Sequence, residues 1–292
     1  MDTPSVDVVV NGRALVGESP LWDDRSQELV WVDILRGEVH RTAIHSGADR
    51  FERLGTTVGA VALCENGGLV AAAADGFCLL DAEGALREWL WRPSTSHPGH
   101  RMNDGKCDPA GRFLAGTMTV DRTPGFCHLY CLEADHSVRT VVDGVTLSNG
   151  MAWSLDGTTM YYIDTVHRQI DAFDYDLATG VPSRRRPVVA IEEGAGNPDG
   201  MTIDAEGYLW VALAHGAAVR RYAPDGRLDR ILPMPVRKVT SVSFGGPALD
   251  LLFVTSACDG LSEANLVAEP LAGAVLCCPV DTSGVPASRF AD

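Results

Sequence analysis

The segment Asp199-Gly-Met-Thr-Ile-Asp204 has three counterparts elsewhere in the chain. They are Glu18-Ser-Pro-Leu-Trp-Asp23, Asn103-Asp-Gly-Lys-Cys-Asp108 and Asn149-Gly-Met-Ala-Trp-Ser154. In all four segments a side chain with an oxygen ligand stands first, and an apolar residue or cysteine stands fifth. A turn and then an apolar run follow each segment, which is the pattern of one strand leading into the next.

Two further segments, at residues 59–63 and 240–244, fit the same layout without the polar first residue. The six segments start 41 to 50 residues apart, and several strands fit into each interval. Such a period is typical of a β-propeller. The sequence therefore predicts an all-β protein, a six-bladed β-propeller with four-stranded antiparallel blades around a central channel. We expect residues 1–292 to form this single domain, with residues 8–10 completing the last blade beside residues 274–279.

Charge and composition indicate which classes of binding partner are not expected. The net charge of −15 repels phosphate backbones, so we expect no nucleic-acid partner. No run of about 18 apolar residues is present, and the first residues lack the features of a signal peptide, so we expect no membrane partner and a cytoplasmic location. The eight cysteines form no C-x-x-C pair and are interpreted as mostly buried apolar residues. We expect a monomer or a weak homodimer.

The first residues of the repeated segments suggest a metal site. In a propeller the innermost strands line the channel, so Glu18, Asn103, Asn149 and Asp199 are expected to converge at one of its ends. Carboxylate and amide oxygens suit Ca²⁺, Mg²⁺ or Mn²⁺, and an open site could also accept Zn²⁺. For Asn149-Gly150 alone, a turn is the competing interpretation. Glu18-Ser-Pro has no turn signature, and its matching register favours the metal site.

Two charged residues stand close to these segments. Arg101 lies two positions before Asn103, so both side chains face the same way in an extended strand, and the guanidinium could hold substrate oxygens. Asp121, in the loop after Gly116-Thr-Met118, could line the channel mouth or remain in solvent. His97, His100 and His215 are interpreted as loop residues. The chain contains no G-x-S-x-G nucleophile motif and no glycine-rich nucleotide-binding motif.

The chain resembles the regucalcin/gluconolactonase family of six-bladed propellers. The resemblance rests on the order and spacing of several stretches: Gly17-Glu-Ser-Pro-Leu-Trp22, Arg101-Met-Asn-Asp-Gly-Lys-Cys-Asp-Pro-Ala-Gly-Arg-Phe113, Ala115-Gly-Thr-Met118, Leu147-Ser-Asn-Gly-Met-Ala-Trp153, Pro198-Asp-Gly-Met201 and Phe244-Gly-Gly-Pro247. It covers nearly the whole chain, from about residue 17 to residue 273.

This resemblance implies specific roles for the repeated residues. One divalent ion, with Ca²⁺ expected first and Zn²⁺, Mn²⁺ or Mg²⁺ as alternatives, would be held by Glu18, Asn149 and Asp199. Substrate contacts would come from Arg101, Asn103 and Asp121, and Asp199 would also act as the acid/base. Asp121 stands where animal members usually carry glutamate, which shortens its reach.

The implied reaction is hydrolysis of a sugar-acid lactone to the aldonic acid, with a small-molecule sugar lactone as the partner. Two alternatives stay open at this point. One is a metal-dependent hydrolase of non-sugar lactones or organophosphates, because one fold hosts many chemistries. The other is a non-catalytic Ca²⁺-binding regulatory protein. Polyol recognition needs hydrogen-bonding groups such as Arg101 and Asp121, whereas a pure ion site does not.

Overall fold

The structure is a computed structural model that describes residues 5–74, 76–93, 97 and 99–292. Over these residues the regular structure is nearly all β. In chain order the strands are β1 (Asp7–Val10), β2 (Gly17–Asp23), β3 (Glu28–Asp33), β4 (Glu38–Ala43), β5 (Ala48–Arg53), β6 (Val58–Leu63), β7 (Leu69–Ala73), β8 (Gly76–Leu80), β9 (Leu86–Trp91), β10 (His100–Cys107), β11 (Phe113–Thr119), β12 (Cys127–Leu132), β13 (Val138–Val145), β14 (Ser148–Trp153), β15 (Thr159–Asp164), β16 (Gln169–Asp176), β17 (Val181–Ala190), β18 (Asn197–Ile203), β19 (Leu209–Ala214), β20 (Ala218–Tyr222), β21 (Leu228–Pro233), β22 (Val239–Gly245), β23 (Leu251–Ser256) and β24 (Val275–Pro279).

These strands form six four-stranded antiparallel sheets, and each sheet is one blade of a propeller. Blades one to five take four consecutive strands each, from β2–β5 to β18–β21, and blade six takes β22, β23, β24 and β1. The predicted six-bladed propeller is confirmed. The only other regular elements in the described part of the chain are a 3₁₀ turn at Thr165–His167 and a short helix, α1, at Glu263–Ala268. No helix among the described residues is both long and apolar enough to span a bilayer.

The first strand closes the ring. β1 pairs antiparallel with β24, with Asp7 opposite Cys277 and Val8 opposite Leu276. The prediction that residues 8–10 complete the last blade is therefore confirmed. Blade six thus joins the first strand of the chain to the last three strands, and this pairing closes the ring.

Apolar side chains fill the spaces between neighbouring blades. One cluster, for example, joins blades one and two through Val30, Val32, Val61 and Leu69. Seven of the eight cysteines are buried, and Cys258 is partly exposed, which agrees with their interpretation as mostly apolar core residues. The blades are thus held as a ring by dispersion and apolar burial rather than by cross-links.

The repeated segments form the six innermost strands, and each of those strands is irregular at the same place. The pairing register shifts between Glu18 and Leu21 in β2, and equivalent shifts occur in β6, β10, β14, β18 and β22. A bulge bends a strand and redirects a side chain, and bulges are common beside active sites. Here the bulge falls at the first residues of the repeat.

Where the repeated segment ends in aspartate, that side chain stabilises the turn after the inner strand. The Asp108 Oδ1 atom accepts hydrogen bonds from the backbone N–H groups of Ala110 and Arg112, at 2.9 and 2.8 Å. Asp204 holds the turn after β18 in the same way. These aspartates satisfy the turn between first and second strands, so their recurrence has a structural cause.

Candidate active site

Four side chains from the start of the inner strands meet at one end of the channel. Glu18, Asn103 and Asn149 are buried, with 4%, 7% and 3% of their surfaces exposed, whereas Asp199 is partly exposed. Glu18 and Asp199 lie within electrostatic reach of each other, although they belong to blades one and five. The structure thus brings together the residues that the repeat predicted.

Asn149 is oriented by its neighbours. Its amide Nδ2 donates to Thr165 Oγ1 at 3.0 Å, and the Thr165 hydroxyl donates in turn to the carbonyl oxygen of Pro198 at 2.9 Å. The Asn149 Oδ1 atom is buried and has no hydrogen-bond partner among the described residues. A buried amide oxygen normally has a partner, so this atom is suited to accept a ligand.

Asn103 differs from the other three residues. Its Oδ1 atom accepts a hydrogen bond from Arg101 Nη1 at 2.8 Å, and its Nδ2 group donates to the carbonyl oxygen of Ser148 at 2.8 Å. The side chain therefore links β10 to β14 and fixes the guanidinium of Arg101, which also donates to the carbonyl oxygen of Met102. Arg101 and Asn103 do face the same way, as their spacing predicted.

Burial and mutual repulsion perturb the acidic groups. Burial raises the pKa of Asp199 to about 8, and the negative charge of Asp104 acts in the same direction. Burial also raises the pKa of Glu18 well above its usual value, with contributions from Asp199 and Asp104. Burial lowers the pKa of Arg101 to about 10, although Glu18 and Asp199 oppose this change. Carboxylates crowded in this way cannot all remain charged at neutral pH without a cation.

The sequence analysis did not single out Asp104 and Lys106 as site residues. Asp104 is 6% exposed and accepts a hydrogen bond from the backbone N–H of Gly105 at 2.7 Å. Lys106 Nζ donates to the carbonyl oxygen of Met201 at 2.6 Å, and its charge interacts with Asp104 and Glu18. Both residues stand in the repeated segment of β10, so two charges in an innermost strand were the available signal.

Asp121 lies apart from this group. Its side chain is 63% exposed, and its Oδ1 atom accepts a hydrogen bond from the Thr123 hydroxyl at 2.9 Å. His97 Nε2 lies 3.8 Å from Asp121 Oδ2. No hydrogen bond or ion pair joins Asp121 to Glu18, Arg101 or Asp199 among the described residues.

The donor set fits a hard divalent cation. It combines two carboxylates, Glu18 and Asp199, with the unpaired oxygen of Asn149. Across the described residues there is no cluster of three or more histidine, cysteine, aspartate or glutamate side chains placed to hold a metal. A site here would therefore depend on the amide oxygen, and oxygen-only donors favour ions such as Ca²⁺ and Mg²⁺.

A second feature of the channel is a cavity beyond these residues. It has a volume of about 470 Å³ and is lined by the ends of the inner strands, including Trp22, Trp153 and Phe244, and by residues 285–289 near the chain end. Asp104 and Lys106 form its inner boundary. Because Arg101 and Asp199 stand near the beginnings of the inner strands, the candidate site and this cavity occupy opposite ends of the channel.

The chain is thus a six-bladed β-propeller with carboxylate, amide and arginine side chains at one channel mouth. Comparison with family models identifies the family of the chain. Residues 16–258 match the model described as SMP-30/Gluconolactonase/LRE-like region, and the chain belongs to this family.

Comparisons with individual proteins support membership in this family. Regucalcin from Xenopus laevis is 40% identical over 281 residues, which cover 94% of each chain. A solved structure of a calcium-binding protein, regucalcin, from Agrobacterium tumefaciens superposes with a TM-score of 0.93 at 28% identity and covers 98% of this chain and 97% of that one. A luciferin-regenerating enzyme superposes with a TM-score of 0.91 at 32% identity, covering 99% and 100% of the two chains.

Proposed function

We propose that this protein hydrolyses a sugar-acid lactone to the open aldonic acid. The observation that carries the proposal is the convergence of Glu18, Asn149 and Asp199 with Arg101 at one channel mouth, in a chain of the gluconolactonase family. The polar and charged lining suits a polyhydroxylated substrate better than an apolar one.

We further propose that Glu18, Asn149 and Asp199 hold one divalent ion, with Ca²⁺ first and Zn²⁺, Mn²⁺ or Mg²⁺ as alternatives. The unpaired Asn149 Oδ1 atom and the raised pKa values of both carboxyls support this assignment. The Agrobacterium relative is described as calcium-binding, which supports Ca²⁺ as the first choice. When bound, such an ion supplies Lewis acidity to the lactone carbonyl and its developing negative charge.

Asp199 is the proposed acid/base. Its carboxylate would take a proton from the attacking water while the water oxygen bonds to the carbonyl carbon. The ring carbon–oxygen bond then breaks, and Asp199 returns the proton to the departing ring oxygen, leaving a hydroxyl and a carboxylic acid. A group that faces both the channel and Asn149 is suitably placed for both transfers.

Arg101 and Asn103 are proposed to orient the substrate. The 2.8 Å hydrogen bond between them holds the guanidinium in one position, so it can contact ring hydroxyls without further ordering. Asp121 remains proposed as a substrate contact, but its exposure and its bond to Thr123 place it at the periphery. The partner we propose is therefore a small sugar lactone.

Lactone hydrolysis by metal-stripped protein tests the function. Ca²⁺, Mg²⁺, Mn²⁺ and Zn²⁺ are restored one at a time, and acid release from glucono-, galactono-, xylono- and arabinolactones is followed with spontaneous opening subtracted. Ion-dependent turnover of any of these lactones supports the proposal. Tight ion binding without turnover would instead favour a regulatory ion-binding protein. Turnover confined to organophosphates or apolar lactones would favour the other hydrolase class.

A further inference from the structure

A short loop brings a second arginine to the mouth of the candidate site. It follows β11, whose last residues pair with the start of β10, so that Met118 lies opposite Arg101 and Thr119 opposite His100. The loop turns sharply, because the backbone N–H of Arg122 donates to the carbonyl oxygen of Thr119 at 3.0 Å. Arg122 has a φ of 54°, a left-handed conformation that reverses the chain.

Consecutive residues of this loop interact with different surroundings. Asp121 bonds to Thr123, lies near His97 and acts on Cys127 in the body of blade three. The positive charge of Arg122 instead acts on Asp199 and on His215, which lies in the loop after β19 of blade five. Arg122 therefore lies on the side of the loop towards Asp199. Asp121, for which the sequence allowed either the channel mouth or solvent, is exposed and bonds to Thr123 instead.

Arg122 also forms no close ion pair among the described residues. It is exposed, and its guanidinium makes no hydrogen bond or ion pair with any described residue. Most other arginines are paired; Arg220, for example, donates to both carboxylate oxygens of Glu192, at 2.9 and 2.7 Å. In a chain with a net charge of −15, an unpaired guanidinium at the mouth of the proposed active site is available to a ligand.

The position of Arg122 limits which part of a ligand it could contact. Arg101 is fixed beside the proposed ion ligands, whereas Arg122 projects from a loop at the rim. A lactone with its carbonyl at Glu18 and Asp199 would extend its side chain outward towards that rim. The guanidinium presents a planar fork that matches a carboxylate.

We propose that the preferred substrate is a lactone that carries a second, free carboxylate at the end of its carbon chain, and that Arg122 selects it by pairing with that carboxylate. This inference rests on the proposed lactonase function and names its substrate class. Hydrolysis would add one water across the ring ester and yield a dicarboxylic sugar acid. His215, exposed in the loop after β19 of blade five, would border the same subsite.

A comparison of two lactones with the same ring tests the proposed role of Arg122 separately from the lactonase function on which it rests. D-glucaro-1,4-lactone carries a carboxylate at C6, and D-glucono-1,4-lactone carries a hydroxyl there. With the ion-loaded full chain, we expect kcat/KM to be higher for the glucaro-lactone. In Arg122→Gln, the ratio of the two kcat/KM values should fall by about tenfold or more, mainly through KM. Arg122→Lys should recover part of the ratio, because the charge is kept without the fork.

Arg227→Gln is the matched control, because Arg227 is also exposed and unpaired among the described residues but lies in the turn between β20 and β21. It should leave both kcat/KM values unchanged. A wild-type preference for the glucono-lactone, or an equal loss on both lactones in Arg122→Gln, would overturn the inference while leaving the lactonase function intact. If wild-type protein hydrolyses neither lactone nor any in the wider panel, the proposed function itself fails.

Discussion

Asp199 lies in a group of three acidic side chains, with Glu18 and Asp104, whose charges are only partly offset by Arg101 and Lys106. Burying like charges together costs free energy unless a cation or a proton compensates. Burial, together with the nearby negative charge of Asp104, raises the pKa of Asp199 to about 8, so the group can exchange a proton near neutral pH. The burial of these carboxyl groups thus explains both the free-energy cost of the group and the proposed role of Asp199 in proton transfer.

Asp199→Asn should lower lactone turnover by about 10²- to 10⁴-fold, the usual size of a general acid/base contribution. The fold should survive, because asparagine has nearly the same volume and removes one of the repelling charges. Initial rates and the thermal midpoint would be measured on the same preparation. Asp225→Asn, in the exposed turn between β20 and β21, serves as the control. Full turnover in Asp199→Asn would contradict the acid/base assignment.

The raised pKa of Asp199 also predicts how stability depends on pH in a chelator. The folded-state pKa is about 8, against an ordinary value of 3.8 for the unfolded chain. Between these values the folded protein holds a proton that the unfolded chain has released. This contribution is therefore complete below about pH 4 and is lost as the pH rises towards 8.

The thermal midpoint in EDTA should accordingly fall between pH 5 and pH 8. Excess Ca²⁺ should reverse this fall, because ion binding favours the charged carboxylates and stabilises the folded state. Differential scanning calorimetry at several pH values would measure both effects, and Asp199→Asn should show a shallower pH dependence than the parent chain, with the remainder due to Glu18. A midpoint independent of pH in EDTA, or unchanged by every ion in the panel, would count against a cation site at these residues.

At the scale of elements, the bulge in every inner strand determines where the polar residues point. The repeat in the sequence located the inner strands because its spacing reflects the blade, and the pattern of one polar residue per segment identified Glu18, Asn149 and Asp199. The charges of Asp104 and Lys106 in the β10 segment were visible in the sequence, but the bulge itself left no sequence signal, so the inward placement of Asp104 beside Asn103 was not. Likewise, the conformation of the loop after β11 determines whether Asp121 or Arg122 faces the channel. Because these neighbouring residues carry opposite charges, a shift of one residue reverses the sign of the charge at the channel mouth.

The inner strands also depend on glycines where neighbouring blades meet. A Cβ atom at Gly150 in β14 would lie 2.6 Å from the carbonyl oxygen of Asp199 and 2.7 Å from the backbone N of Met201, both in β18. Gly150→Ala should therefore push these strands apart and lower the free energy of unfolding by about 1–3 kcal/mol. Turnover should fall as well, since Asn149 and Asp199 would separate.

Urea unfolding followed by tryptophan fluorescence would measure the change. Gly12→Ala is a suitable control, because its added methyl would approach only the Val10 side chain, at 3.3 Å. Equal stability of Gly150→Ala and the parent chain would show that the inner strands tolerate a wider spacing than the structure indicates.

Closure of the propeller ring depends on β1, the first strand of the chain. Val9 in β1 packs against an apolar cluster that includes Trp22, Phe253 and Val275, whereas its neighbour Val8 is 44% exposed. Val9→Asp should lower the free energy of unfolding by about 1–3 kcal/mol, because it places a charge against that cluster. Val8→Asp, on the open face of the same strand, should change it by less than about 0.5 kcal/mol. Chemical denaturation of both variants would measure the difference, and equal effects would argue against the closure by β1.

The pairing of β1 with β24 also fixes an order of events during synthesis. Residue 10 leaves the ribosome long before residue 279, and at about 5–20 residues per second the interval is on the order of 10 to 50 s. Throughout that time the first strand has no partner, and the growing stack of blades presents an uncovered apolar sheet face at each end. Blades one to five can form from consecutive strands as they emerge, whereas the sixth must also recruit β1 from the start of the chain. Until the last blade forms, these faces are open to association with other chains, so we expect the yield of native ring to depend on the speed of translation near residue 279.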